Sequence, residues 1–235
     1  MTSLRNLYHR LLRAGFRLLY NEMAWSYDFV SWAVSLGQWK HWQRAGLPFL
    51  TGPRVLEVAF GTGAMLVALR RKGLDTCGID LSSHMAAIAR RKLRRAGLDA
   101  PIVRGSAAAL PFAGDTFDAI LTTFPTPFIR DPNVLHECAR VLRPRGRLVI
   151  VDRATMTRPY LIARFIEWLY VITNQRPDWA LSQATWLEQT GWDVEEREER
   201  LRWSVVHLFI ARQAEDRSEG RTDNHSAGSR PPSCA

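Results

Sequence analysis

The sequence has only three cysteines, and their positions exclude several kinds of site. Cys77, Cys138 and Cys234 are far apart and have no second ligand at a spacing typical of metal sites. Cys77 and Cys138 fall in apolar strand and helix patterns, where a thiol is a small core side chain rather than a nucleophile. We therefore predict reduced, inert cysteines and no bound metal.

A long uninterrupted apolar run is also lacking. The longest candidate stretch, residues 161–173, contains Arg164 and Glu167 and is shorter than the roughly 18 apolar residues that a membrane-spanning helix needs. Four arginines within the first 17 residues interrupt every apolar run that could serve as a secretory signal. We therefore expect a cytoplasmic protein without a membrane-spanning helix.

Lysine is scarce, although the chain is basic. Only three of its 32 basic residues are lysines, and its net charge of +9 would attract anionic partners such as phospholipid or nucleic acid. Because such an arginine bias can reflect genome base composition, the positions of the charges carry more information than their sum. Apolar residues recur at helical spacing over residues 4–20, with Arg5, Arg13 and Arg17 on another face, which predicts a basic amphipathic helix.

The rest of the chain divides into a helical segment, an alternating α/β region and a tail. An aromatic-rich helical stretch is predicted at Ala24–Trp42, and residues 1–50 are assigned to covering helices. In residues 51–213, short apolar runs alternate with helical patterns, as in a parallel sheet with crossover helices. The composition of residues 214–235 cannot offset the entropy of ordering, so we predict a disordered tail.

The α/β region has seven predicted strands. Five of them are Arg54–Ala59, Thr76–Asp80, Ile102–Gly105, Phe117–Thr122 and Arg147–Asp152, and two closing strands are Trp192–Glu198 and Trp203–Gln213. Helices are predicted near residues 64–72, 83–96, 132–143 and 183–190, and an apolar insertion at Pro159–Thr173.

The first strand carries a carboxylate and is followed by two glycines. Gly61 and Gly63 would let the backbone approach a ligand closely, and the start of the next helix favours a negative group. The alternative is a tight turn without a ligand. Glu57 lies within the apolar strand, where a carboxylate is costly to bury unless it is hydrogen-bonded or paired, so we expect it to have a specific partner.

A second acid, Asp80, ends the second strand. It follows Gly61 by 19 residues, and a strand-end acid at this separation can accept hydrogen bonds from both hydroxyls of a ribose. Asp80 could equally be the N-cap of the helix that begins near Ser83.

These motifs, taken in order, resemble the class I S-adenosylmethionine-dependent methyltransferases. The resemblance rests on Val-Leu-Glu-Val-x-x-Gly-Thr-Gly from Val55, Gly-Ile-Asp-Leu-Ser from Gly78, Leu-Pro-Phe-x-x-x-x-Phe-Asp from Leu110, and the segment Arg140–Leu148. Within that class the chain is similar to the C-methyltransferases of ubiquinone and menaquinone biosynthesis and to related lipid or small-molecule methyltransferases. Ser35, Gly37 and Trp42 resemble residues of that group's cofactor-covering helices.

The resemblance implies a fold, a cofactor and a set of binding residues. The fold would be a Rossmann-like, doubly wound α/β domain with a seven-stranded sheet, mostly parallel and closed by an antiparallel strand. The cofactor would be S-adenosyl-L-methionine. Its expected binding residues are Glu57, Gly61, Gly63, Asp80, Ser106, Ala107 and Thr123. Two positions depart from the family, because its first loop glycine is Ala59 here and its usual adenine-binding acid is Ser106.

Methyl transfer from a sulfonium requires alignment and the exclusion of water, but no acid to expel the leaving group. A base is needed only where the acceptor must lose a proton, and we assign none of Tyr27, His136 and His207 to that role.

The segment Thr123–Phe128 does not match the Asn/Asp-Pro-Pro-aromatic pattern of enzymes that methylate planar amines, which argues against nucleic-acid and protein substrates. Five basic residues between Arg90 and Arg95 could contact phosphate, but basic residues at the end of a helix also complement its dipole.

We expect a small, hydrophobic or lipid-like acceptor, because the basic N-terminal helix and the apolar insertion lie outside the cofactor-binding core. That helix could rest on an anionic membrane, or fold back as a lid with its arginines in water.

Two other functional classes stay open. A nicotinamide-dependent oxidoreductase also has two loop glycines and a later acid, although Leu66 stands at its third fingerprint position. A non-catalytic membrane-surface protein could retain a degenerate cofactor fold.

Overall fold

The computed structural model describes residues 31–33, 35–125, 127–157 and 182–214. The basic helix predicted at residues 4–20, Tyr27, the apolar insertion and the tail from residue 215 lie outside these ranges. No helix within the described ranges is long and apolar enough to cross a membrane.

Seven strands form one sheet in which six strands are parallel. The strands are β1 (Arg54–Val58), β2 (Asp75–Asp80), β3 (Ile102–Arg104), β4 (Phe117–Thr123), β5 (Leu142–Met156), β6 (Trp192–Leu201) and β7 (Ser204–Gln213). Their order across the sheet is β3-β2-β1-β4-β5-β7-β6, and only β7 runs antiparallel to its neighbours. This arrangement confirms the predicted mostly parallel sheet with a closing antiparallel strand.

Five helices of six residues or more accompany the sheet in the described ranges. They are α1 (Trp39–Arg44), α2 (Ala64–Arg71), α3 (Ser83–Arg95), α4 (Pro132–Val141) and α5 (Ser182–Gln189), with short 3-10 turns at Leu47–Phe49 and Pro127–Arg130. Helices α4 and α5 pack on one face of the sheet through Leu135, Cys138 and Leu187. Helices α1 and α2 pack on the other face through Trp42, Met65 and Leu69.

The sheet changes winding direction between β1 and β4, which are neighbours in space although β2 and β3 separate them in sequence. At such a switch point the loops that follow two neighbouring strands diverge, and ligands of open α/β sheets bind outside the carboxyl ends of the strands there. The loop after β1 and the ends of β2 and β4 therefore frame the candidate site.

Two predicted elements are wrong in extent. The helix predicted at Ala24–Trp42 is broken at Leu36 and Gly37, whose φ angles are 51° and 81°, and α1 begins only at Trp39. The predicted strand Arg147–Asp152 extends in both directions as β5, because Leu142 pairs with Phe117 and Met156 pairs with Ser204. The Arg-Pro-Arg-Gly segment 143–146, which resembles a turn in the sequence, lies within β5 at a register shift against β4.

Cys77 and Cys138 are buried thiols, as predicted, and burial raises the pKa of Cys138 to about 12. A thiol that holds its proton so tightly is a poor nucleophile, so Cys138 acts as a core side chain.

Candidate functional site

The loop between β1 and α2 has an alternating left-handed backbone. Ala59, Gly61 and Gly63 have φ angles of 57°, 54° and 75°. A side chain at Gly61 would meet nothing within 4 Å among the described residues, so the loop faces open space there. At Gly63, by contrast, an added Cβ would lie 2.6 Å from the Cβ of Ala89. Gly63 therefore allows the start of α2 to approach α3, whereas Gly61 leaves room beside the loop.

Asp80 connects the end of β2 to this loop. Its Oδ2 accepts a hydrogen bond of 2.8 Å from the Gly61 backbone N–H, and its Oδ1 accepts one of 2.8 Å from the Ser82 N–H. The hydroxyl of Ser82, not Asp80, caps α3 by accepting from the Met85 N–H, so the N-cap hypothesis for Asp80 is wrong. Burial raises the pKa of Asp80, and the hydrogen bonds to Ser82 and Gly61 oppose that rise. Together with Leu81, these amides still leave the carboxylate a lone pair with which to accept a ligand hydroxyl.

Glu57 lies beneath the loop, with 1% of its surface exposed. The Leu66 backbone N–H donates to its carboxylate, but Oε2 has no hydrogen-bond partner among the residues described. Burial raises the pKa of Glu57 well above its ordinary value, the neighbouring charge of Asp80 raises it further, and the charge of Lys92 lowers it. The expectation of a specific partner is thus met only in part, and one buried acceptor atom remains open.

Lys92 is a residue of this region that the sequence reasoning missed. Its Nζ donates a hydrogen bond of 2.9 Å to Thr62 Oγ1, which ties α3 to the glycine loop near Glu57. In the sequence Lys92 lies within a run of basic residues at the end of a helix. Its spacing could have distinguished it from that run, because it follows the buried Met85 and Ala89 by seven and three residues and so shares their face of α3.

The other predicted binding residues lie along the same edge of the sheet. Ser106 is exposed after β3, and its hydroxyl accepts from the Ala108 N–H at 3.2 Å. Ala107 is half-buried against the core, and Thr123 ends β4. Leu81, which no sequence argument singled out, is 71% exposed directly after Asp80. A large apolar side chain that remains exposed beside a strand-end acid offers a surface to a ligand ring. In the sequence, only its position next to Asp80 could have indicated this role.

Helix α1 covers the end of β4. Gln43 Nε2 donates to Thr123 Oγ1 at 3.2 Å, and the ring of Trp39 stacks on Phe124 with 4.4 Å between centroids. Of the covering-helix motif, Ser35 Oγ accepts from the Trp39 N–H and Trp42 Nε1 donates to Ser204 Oγ. The motif residues thus fasten α1 in place, and their neighbours Trp39 and Gln43 lie over the end of β4.

Replacing Ala59 with glycine should stabilise the fold. Alanine at a φ of 57° costs roughly 1 kcal/mol relative to glycine, because its Cβ crowds the following carbonyl. Urea unfolding should show the Ala59→Gly variant to be more stable by about that amount. The matched variant Ala96→Gly, at a residue with an ordinary right-handed φ of −87°, should not be stabilised. A loss of stability in Ala59→Gly would contradict the strained conformation.

The pH dependence of stability should reveal the buried Glu57. Since its pKa is raised in the native state, the native state holds this proton more tightly than the unfolded chain. The contribution of Glu57 to stability therefore falls as pH rises from its ordinary pKa toward the raised value. Glu57→Gln should reduce this fall, measured by urea unfolding between about pH 4 and about pH 8. Glu137→Gln should leave the slope over this range nearly unchanged, because Arg140 lowers the pKa of Glu137 and its contribution to stability changes only below its ordinary pKa. An unchanged slope in Glu57→Gln would contradict the raised pKa.

Comparison with known proteins identifies the domain. Residues 55–146 match the family described as "Methyltransferase domain". The chain is 35% identical over 155 residues to the demethylmenaquinone methyltransferase of Mycobacterium sp. (strain KMS), a match that covers 64% of this chain and 65% of that protein. It is 34% identical over 138 residues to the enzyme of the same name from Renibacterium salmoninarum, covering 57% and 56%. The match thus spans less than two thirds of each relative.

Solved structures agree on the fold. A methyltransferase of Methanosarcina mazei described as SAM-dependent has a TM-score of 0.54 at 18% identity, covering 72% of this chain and 96% of that one. A putative S-adenosyl-L-methionine-dependent methyltransferase of Methanococcus maripaludis has a TM-score of 0.58 at 17% identity, covering 85% and 96%. The comparisons confirm the resemblance to class I methyltransferases of the menaquinone type and the Rossmann-like fold.

Proposed function

We propose that this chain, which carries a methyltransferase domain at residues 55–146, transfers a methyl group from S-adenosylmethionine to a reduced, lipid-like quinone. The observation that supports the cofactor site best is the hydrogen bond of Asp80 to the Gly61 N–H, beside a loop that faces open space. A carboxylate fixed at the end of β2, beside the loop that follows β1, can accept ribose hydroxyls without further rearrangement.

The residues present fit this cofactor. S-Adenosylmethionine, when bound, supplies an electrophilic methyl group on a positively charged sulfur. Asp80 would hold the ribose, the exposed face of Leu81 and the Ser106 hydroxyl would contact the adenine, and the open space at Gly61 would admit the methionine part. The unpartnered Oε2 of Glu57 adds a buried acceptor beneath the loop, toward which a positively charged amino group would be attracted.

The contribution of the protein is orientation and the exclusion of water. Well-oriented reactants can gain on the order of 7 to 11 kcal/mol from alignment alone. Trp39, stacked on Phe124, and Gln43, bonded to Thr123, would form the cover over the end of β4, where the acceptor approaches. Phe124 has a φ of 51°, and its N–H donates to Val151 O at 2.7 Å, so this strand end is tightly fixed.

The acceptor class follows from the relatives. The proteins from Mycobacterium and Renibacterium are both named demethylmenaquinone methyltransferases. A reduced naphthoquinone with a hydrophobic tail agrees with the hydrophobic acceptor expected from the sequence, and with the aromatic pair Trp39 and Phe124 at the end of β4. An acceptor of this kind is dissolved in membranes, so the enzyme must extract it from a lipid surface.

The two alternative classes are less well supported. The dinucleotide-binding sheet has the strand order 3-2-1-4-5-6 and is wholly parallel, whereas β7 here is inserted antiparallel between β5 and β6. A degenerate, non-catalytic fold was suggested by Ala59 and Ser106. Ala59 nevertheless adopts the left-handed conformation that glycine would take, and the exposed Ser106 retains a hydroxyl oxygen that can accept a hydrogen bond.

Transfer of an isotopically labelled methyl group tests the proposed activity. The purified protein should move label from S-adenosylmethionine into a chemically reduced demethylmenaquinone, and not into a water-soluble amine such as phosphoethanolamine. Label in the amine but not in the quinol would contradict the acceptor class. No transfer to either would favour the non-catalytic alternative.

A separate prediction concerns binding to membranes. It rests on the arginines of the helix that the sequence predicts at residues 4–20. Each arginine near an anionic surface adds about 1 kcal/mol of binding. Full-length protein should pellet with anionic vesicles at low salt, and protein lacking residues 1–20 should remain in the supernatant. Neutral vesicles serve as the control. If the full-length protein also fails to pellet with anionic vesicles, the helix acts as a lid rather than as a membrane contact.

A further inference from the structure

Strand β5 contains a β-bulge at Asp152. Val151 pairs with Leu208 of β7, and Arg153 pairs with His207, so two steps along β5 correspond to one step along β7. Asp152 is the additional residue. Bulges occur often beside active sites, where they redirect one side chain while the strand continues.

The Asp152 side chain is buried but has few polar partners for its carboxylate oxygens. It is 5% exposed, its Oδ2 lies 3.8 Å from Arg153 Nη1, and its Oδ1 has no hydrogen-bond partner within the described part of the chain. Burial raises the pKa of this carboxyl, while the positive charges of Arg153 and Arg130 oppose the rise. A single long ion pair and an unpartnered oxygen compensate poorly for burying a carboxylate, so a purely structural role accounts for little of this arrangement.

Asp152 lies beside the end of β4, over which the acceptor would approach in the proposed function. Val151, the residue before it, pairs with Thr123 at the end of β4, and the Val151 carbonyl accepts the Phe124 N–H at 2.7 Å. Asp152 is thus at the carboxyl edge of the sheet beside the loop that follows β4. Strands β1 and β4 separate it from Asp80, a distance of three strand spacings or about 14 Å. It can therefore serve the acceptor without contacting the ribose site.

Among the described residues, the charges of Arg130 and Arg153 act on Asp152, and His207 with Glu198 lies beside Arg153. Arg130 comes from the 3-10 turn after β4, Arg153 from β5, His207 from β7 and Glu198 from β6. His207 Nδ1 lies 3.3 Å from Glu198 Oε1, and its other ring nitrogen is 3.3 Å from Thr155 Oγ1. Burial and the charge of Arg153 lower the pKa of His207, which favours a neutral ring at neutral pH. Either a neutral imidazole or a carboxylate can accept a proton, but both ring nitrogens of His207 have neighbours, whereas Asp152 Oδ1 has none within the described part of the chain.

We propose that Asp152 is the catalytic base that takes the proton from the acceptor's ring hydroxyl, an inference that rests on the proposed function. As the O–H bond breaks, the proton passes to Asp152 and the electron pair moves into the ring. The adjacent ring carbon then forms a bond to the methyl group, and the pair of the broken carbon–sulfur bond stays on sulfur as a neutral thioether. The ring carbon next loses its own proton to water, and Asp152 returns the first proton to the oxygen, which restores the hydroquinone.

The test is Asp152→Asn, with Asp193→Asn as the matched control. Asp193 is an exposed acid on β6, and its replacement makes the same chemical change away from the site. Asp152→Asn should lower kcat for the reduced quinone by roughly 10²- to 10⁴-fold, the usual contribution of a general base. It should change KM and the affinity for S-adenosylmethionine by less than about threefold, because aligned binding is retained. The control should retain wild-type kcat.

Two further measurements distinguish a base from a structural carboxylate. The wild-type pH profile of kcat should have an acidic limb above the ordinary range of an aspartate, and Asp152→Asn should lack that limb. Without any ligand, infrared difference spectra should show a buried carboxyl C=O band that titrates in the wild type and is missing in Asp152→Asn. A kcat within about threefold of wild type, or a retained acidic limb, would overturn the inference.

Failure of the proposed function would look different. If the wild-type protein binds no S-adenosylmethionine and methylates no quinol, the activity itself is wrong and the inference falls with it. If the wild type is active and Asp152→Asn matches it, only the role of Asp152 is wrong.

Discussion

Replacing Asp80 with alanine is expected to weaken the binding of S-adenosylmethionine by about 2 kcal/mol or more, which is roughly thirtyfold in Kd. The reason is the loss of a charged acceptor at the end of β2, where both of its oxygens are already fixed by the Gly61 and Ser82 N–H groups. These two amides would also lose their partner, so the loop would hold its shape less firmly. Calorimetric titration measures the affinity, and circular dichroism checks that the variant is folded.

Asp75→Ala is the control for Asp80→Ala. Asp75 begins the same strand at the opposite edge of the sheet, where it pairs with Arg54 and Arg70 and has a side chain that is 57% exposed. Its removal should leave cofactor affinity unchanged. If folded Asp80→Ala protein binds the cofactor as tightly as the wild type, the ribose assignment is wrong.

Replacing Gly61 with valine is expected to abolish cofactor binding while leaving a folded protein. The new Cβ would enter space that holds nothing within 4 Å among the described atoms, so it clashes with none of the described residues. The space is the one that the methionine part of the cofactor would need. The cost to folding is that of a β-branched residue at a φ of 54°, roughly 1 to 2 kcal/mol.

Gly97→Val separates this steric effect from backbone strain. Gly97 has a φ of 66°, and an added Cβ there also meets nothing within 4 Å of the described structure, but it lies in the turn after α3. Both variants should lose similar stability in thermal unfolding, and only Gly61→Val should lose binding. If Gly61→Val retains the cofactor, the loop is only a turn; if both variants lose it, strain rather than contact is the cause.

Local sequence patterns predicted most of the sheet because its strands are short, apolar and separated by clear helical periods. The strand from Arg54 and the helix from Ser83 were both predicted to within one or two residues. Boundaries failed where long-range pairing or a single backbone angle decides them. The extension of β5 depends on partners in β4 and β7, and the break before α1 depends on the left-handed Leu36 and Gly37.

In the candidate site, too, residues with a local sequence signal were predictable and residues placed by long-range pairing were not. Asp80 and Gly61 were predictable because a strand-end acid and a glycine loop are local signals, and the structure brings them within 2.8 Å of each other. Asp152 carried no local signal, because its bulge exists only in the register between β5 and β7. Lys92 was hidden in a run of basic residues, and only the face of α3 on which it lies distinguishes it. The binding roles of all seven residues stay predictions: Glu57, Gly61, Gly63, Asp80, Ser106, Ala107 and Thr123.

The central claim is that this sheet edge binds S-adenosylmethionine, and equilibrium dialysis of the wild-type protein with the labelled cofactor tests it most directly. We predict saturable binding with one cofactor per chain, displaced by S-adenosylhomocysteine and unaffected by a large excess of NAD. A folded protein that binds no labelled cofactor, or one from which NAD displaces the label, would contradict the claim.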